Sequence, residues 1–234
     1  MMARLAARLL RSTSGVAMTE FALTFPFILG VGLMGMEVAN RVLVQMQVSQ
    51  LANLIADNAS RIGEESMLED RKIYEGDIND LFYGAHLQGG ESIDLYEHGR
   101  VILSSLEVVP GTDDQQYIHW QRCIGKKHHS ASYGEAGDGR TSNTLAGMGP
   151  AGEEVIAFDD EAVMFVEVSY DYQSIIGEPF TFDDGAITAI ASYTVRADRD
   201  LTGIHQRDAS DPDPVANCDS FTDLSAYGFP TSGR

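Results

Sequence analysis

From Phe21 to Met36 the chain reads FALTFPFILGVGLMGM, a stretch without a charged side chain. Counted from Val16 and tolerating Glu20, the apolar run is about 21 residues, which matches the roughly 20 that a helix needs to cross a bilayer. Arg4, Arg8 and Arg11 precede it, and no acid appears before Glu20. A basic start and an apolar centre also describe a secretory signal peptide. Two features oppose that reading. The run exceeds an ordinary signal core, and no small-x-small cleavage site follows it. Instead Met36-Glu37-Val38-Ala39-Asn40-Arg41 reads as continuing helix. A simple stop-transfer anchor is the other plain reading.

Charge sets the topology. The chain of 234 residues has 16 Lys and Arg against 35 Asp and Glu, a net charge of −19. Setting the three leading arginines aside leaves 13 bases and 35 acids, roughly −22 for the rest. The positive-inside rule keeps the arginine-bearing end cytoplasmic and sends the acidic body across. An acidic body excludes nucleic acid as a partner, because phosphate binding needs a basic patch. It also argues against a body lying on anionic lipid. With 44% apolar residues the body is expected to fold.

Glu20 separates a plain anchor from something more specific. A carboxylate just inside an apolar segment costs a few kcal/mol on insertion scales. The cost is relieved if the charge finds a positive partner. Cleavage after Gly15 would give Val16 a new α-ammonium, and in a helical assembly Glu20 of one subunit could face the Val16 amine of its neighbour. A buried pair of that kind fixes register.

The residues Gly15, then Glu20-Phe21, then an apolar helix, resemble the processing site of type IV pilins. The wording Gly-Val-Ala-Met-Thr-Glu-Phe-Ala-Leu-Thr-Phe-Pro, ending at Pro26, resembles the TadE/TadG-like pseudopilins of the tight-adherence (Flp) pilus. The likeness covers about residues 8 to 60, with weaker echoes at 101–106 and 120–123. It implies a leader, residues 1–15, removed by a prepilin peptidase at the Gly15–Val16 bond, with Glu20 and Phe21 setting assembly register. Glycine suits the cut because it opposes helix continuation and lets a protease hold the backbone extended. The partners implied are other pilin or pseudopilin subunits, the peptidase, an inner-membrane assembly platform, and membrane lipid before assembly. The location implied is the bacterial inner membrane, single-pass with the head periplasmic, then the pilus or cell surface. Some TadG-like relatives stay uncleaved as membrane-anchored assembly or adhesion factors, which is the alternative.

Residues 16–62 are expected to form one pilin-like helix, transmembrane over about 16–38 and an amphipathic stem over 39–62. Pro26, Gly30, Gly32 and Gly35 inside the apolar part admit two readings. Small residues let helices approach closely, and a locally weak helix can bend when drawn from the bilayer. In the stem, Val44, Val48, Leu51 and Ile55 follow i, i+4, i+7, i+11 spacing, a stripe one face wide for packing on a sheet.

The head, residues 63–234, reads as α+β. Residues 75–86 suggest a short helix, and 93–96 with 100–109 suggest a hairpin. Residues 117–123, 162–172 and 187–197 are strand candidates. In 162–172, Val166, Val168, Tyr170 and Tyr172 alternate with Glu167, Ser169 and Asp171, which predicts an antiparallel sheet with one wet face. The dry face needs the stem stripe as cover. The expected architecture is a long N-terminal helix packed on a small antiparallel sheet, pilin-like, with an irregular loop at 126–152 and an irregular tail at 203–234.

Candidate chemistry is sparse. Cys123 and Cys218 are the only cysteines and can pair outside the cytoplasm; two free buried thiols are the other reading. Gly147 to Gly152 satisfies G-x-G-x-x-G but lacks the strand before and helix after that a pyrophosphate needs. His119, His128 and His129 have no ligand spacing for zinc, and His128-His129 reads as a solvated pair. Asp159, Asp160, Asp183 and Asp184 are candidates for calcium, or simply solvated acidic turns. No cofactor and no enzymatic motif are expected; a membrane-tethered enzyme is the remaining class.

Overall fold

A computed structural model describes residues 14–63, 70–177, 185–195 and 199–230. Arg4, Arg8 and Arg11, and the calcium candidates Asp183 and Asp184, lie outside the described residues. The molecule is α+β: a long N-terminal apolar helix and a small antiparallel sheet.

Helix α1 runs from Ser14 to Ala59 without interruption and carries Pro26 inside it. It is long and apolar enough to cross a membrane. The chain divides into two compact units, one of Met1–Leu43 with Gln173–Asp184, the other of Val44–Tyr172 with Gly185–Arg234. In the first unit, Val16, Phe21, Phe27, Ile28 and Val31 are exposed, so the apolar surface read from the sequence stays uncovered. Glu37 is its exception, 3% exposed, with the Ile176 N–H donating to its Oε2 at 3.2 Å.

In the second unit, strand β1 (Arg71–Tyr74) leads directly into helix α2 (Glu75–Gly89). The Asp77 carboxylate accepts from the Tyr74 N–H at 3.0 Å, satisfying one backbone donor at the entry to α2. The short helix α3 (Leu95–His98) precedes β2 (Gly99–Val108), followed by β3 (Gln116–Ile124), β4 (Ala162–Tyr170), β5 (Ile187–Thr194) and β6 (Arg199–His205). A 3-10 turn at Leu224–Tyr227 closes the tail. The main sheet has the order β3-β2-β4-β5, antiparallel throughout, and β1 pairs with β6 in a separate parallel pair.

One face of the sheet carries Val101, Leu103, Met164, Val166 and Val168. It forms one core with Val48, Leu51, Ala52 and Ile55 of α1 and Ile78, Phe82 and Ala85 of α2. The stem stripe therefore covers the sheet as its spacing predicts.

Three expectations are corrected. The 93–96 segment is not a strand: Leu95 to His98 is a helical turn, held by the Tyr96 hydroxyl donating to Phe82 O at 2.7 Å. A run that short has no periodicity to separate strand from helix. The irregular tail starts later than 203, because β6 extends to His205 and pairs with distant β1. Most consequentially, the sheet has no wet face at its centre. Every residue of β4 is buried, Glu167 and Ser169 included, and all of β2 is buried except Val108 at its end. The second face holds Leu106, Ile118, Val163 and Phe165, which pack with Met148, Ala157, Tyr133 and Leu145 of the irregular segment. Charge was the misleading signal: Glu167 is buried because it is paired.

Candidate functional site

The residues expected to carry processing and assembly lie at the start of α1. Gly15 and Val16 are in its first turn, both exposed. The backbone at Gly15 is helical. A Cβ at Gly15, Gly30, Gly32 or Gly35 would meet nothing within 4 Å, so these glycines leave open surface along the helix. Glu20 is exposed, and its carboxylate has no partner among the described residues. Phe21 stacks on Phe25 with ring centroids 5.1 Å apart. The Thr24 hydroxyl donates to Glu20 O at 2.9 Å, and the Thr19 hydroxyl donates to Val16 O at 2.8 Å. Those bonds satisfy both hydroxyls on the helix itself.

Glu37 is a buried carboxylate that the sequence alone did not single out. Its signal was present: 37, 41, 44 and 48 continue the stem stripe backwards at helical spacing. The carboxylate was simply read as part of the continuing helix.

The head concentrates its charge inside. Glu107, 2% exposed, accepts from Ser105 Oγ at 2.6 Å and lies 2.9 Å from His119 Nδ1. Glu167 accepts from Ser132 N at 2.9 Å and lies 2.7 Å from His129 Nε2. His129 thus clamps the 126–152 loop to β4 instead of sitting in solvent as expected, whereas His128 is exposed and stacks on Phe221. Glu75 pairs with Arg122. Arg100, 1% exposed, donates Nη1 to Gly125 O at 3.0 Å and Ser220 O at 2.6 Å, and Nη2 to Cys218 O at 2.6 Å. Burial lowers its pKa.

Cys123 and Cys218 form a disulfide. It borders a cleft of about 670 Å³ lined also by Arg100, Trp120, Arg122 and His129. The side chains of Arg100, Arg122 and His129 there are committed to the partners above. The G-x-G-x-x-G run is a turn: Met148 and Val155 form a bridge, and Gly147 has φ 155° where a Cβ would stand 2.4 Å from Val155 O. Asp159 and Asp160 are exposed in the turn before β4. Among the described residues, no group of three or more His, Cys, Asp or Glu is placed to hold a metal ion.

Comparison with models of protein families, with curated proteins and with solved structures gave no match.

Proposed function

We propose that the protein is a minor pilin or pseudopilin of a tight-adherence type IV pilus, inserted as a single-pass precursor in a bacterial inner membrane. The observation that carries the reading is Glu20: an exposed carboxylate, without a partner among the described residues, on an otherwise apolar helical surface. A lone charge there is costly in lipid and becomes useful when a neighbouring subunit supplies an ammonium. The motif from Gly15 to Pro26 supports the same reading. In this scheme a prepilin peptidase cuts between Gly15 and Val16, and the helix leaves the bilayer for a helical bundle in which Glu20 meets a neighbour's Val16 amine. The disulfide-stapled acidic head then projects outward from an all-helical stem.

A second reading is an uncleaved anchor of the same system, favoured by the helical backbone at Gly15. Intact-mass measurement of the membrane-extracted protein decides between them. A mature chain starting at Val16 is expected; a chain starting at Met1 overturns the processed pilin. Substituting Glu20→Leu is expected to leave the protein in the membrane but reduce its recovery in sheared pili at least tenfold. Normal incorporation of that variant would remove the role given to Glu20.

A further inference from the structure

Strand β5 is an edge of the main sheet. Its inner side pairs with β4 from Val163↔Thr194 to Tyr170↔Ile187 without a shift in register. The Val195 N–H donates to Ala162 O at 2.9 Å, so the odd-numbered residues turn their backbone groups toward β4. The period of two then turns the N–H and C=O of Thr188, Ile190, Ser192 and Thr194 outward. None of these groups has a partner among the described residues.

The opposite edge is treated differently. On β3, the Ile118 N–H donates to Asp138 O, its carbonyl accepts from the Gly137 N–H, and the Cys123 N–H donates to Ala216 O. Among the described residues, the chain thus covers one edge with its own loop and tail and leaves the other bare. Edges left bare are normally blunted by lysine, proline, a bulge or short length. In β5 there is no charge, no proline and no bulge over eight residues, ITAIASYT, although the whole chain carries −19.

We propose that β5 pairs antiparallel with β5 of a second copy of this chain, across a two-fold axis at Ala191, joining the two sheets into one. The register follows from the strand itself. Outward-facing groups must meet outward-facing groups, and an axis at Ala191 sets Thr188 against Thr194 and Ile190 against Ser192, each pair twice. Every outward N–H and C=O of both strands is then bonded. Moving the axis to Ile190 or Ser192 pushes one of these residues past the end of its partner strand. Side chains agree with the same register. Half-buried Ala189 falls opposite half-buried Tyr193, small against large, and Ala191 meets Ala191 at the axis, where the closest pair needs small side chains. On the other face, Thr–Thr pairs and the 38% exposed Ile190 gain cross-strand cover. An uncharged strand gives a basic peptide nothing to select it by, whereas its self-complementarity suits an isologous contact. The inference stands on β5 and does not depend on the pilus reading.

The test uses the full-length chain in detergent. The unsubstituted protein is expected to sediment as a dimer. Ile190→Pro is expected to give a monomer with a melting temperature within a few degrees of the parent, because the lost N–H points outward and the β4 ladder keeps its bonds. Ala191→Cys is expected to form a covalent dimer under mild oxidation, while Thr188→Cys, opposite Thr194, is not. Acidic heads repel, so the dimer fraction is expected to rise as salt is raised from about 20 to 200 mM. A monomer under all these conditions overturns the proposal. So does a dimer that survives Ile190→Pro, which would place the contact on the apolar helix, or equal cross-linking at 188 and 191. If Ala191→Cys fails to fold, the sedimentation of Ile190→Pro decides alone.

Discussion

Arg100 shows how this head uses a buried cation. Among the described residues no carboxylate pairs with it; three tail and loop carbonyls and the Phe221 ring, 4.2 Å from the guanidinium carbon, hold it instead. Substituting Arg100→Leu strands those carbonyls under the tail, and a loss of about 3 kcal/mol is expected in urea unfolding. Unchanged stability would mean that water replaces the guanidinium. Buried phenols set the alkaline limit. Burial pushes Tyr170 up to about 12, and its hydroxyl donates to Ile93 O at 2.8 Å. Burial, then the charge of Glu107, pushes Tyr117 to about 12 as well. A folded-state pKa above the unfolded value near 10 gives stability that is complete below about pH 10 and is lost as pH rises through the folded value. The urea midpoint is therefore expected to fall between about pH 10 and 12, and Tyr170→Phe is expected to flatten that fall.

At the scale of the element, α1 has two contrasting sides in its stem. Val48 and Ile55 are fully buried against the sheet, whereas Val42, Leu43 and Met46 are exposed. Ile55→Ala is expected to destabilise the head by about 2–5 kcal/mol through lost burial and the cavity left behind. Met46→Ala is expected to stay within about 0.5 kcal/mol in the isolated chain. Chemical denaturation of the two variants checks the contrast, and equal costs would mean that the stem does not pack as described. This stripe was legible because four residues at helical spacing were separated by Gln and Asn. The sheet's second face was not, because Glu167 and Ser169 imitate a wet face until His129 and Ser132 arrive from far along the chain.

Across the whole molecule, the Cys123–Cys218 bridge ties the tail to β3 over a separation of 95 residues. In the chain-entropy account such a loop contributes up to about 4–5 kcal/mol. The double variant Cys123→Ser/Cys218→Ser is expected to lose most of that, and the parent protein with reductant is expected to behave alike. If thermal melts show no difference, the buried contacts of Arg100 alone anchor the tail.

The sequence by itself determined the apolar helix, the stem stripe, most of the strands and which two cysteines could pair. Each of these is written locally, as an uncharged run, a period of 3.6 or 2, or a count of two. Only the tertiary structure decided that Glu37 and Glu167 are buried, that β1 pairs in parallel with β6, and that, among the described residues, β3 is covered while β5 stays open. Each of those depends on which distant backbone or side chain arrives to satisfy a polar group, and no local pattern encodes the arrival.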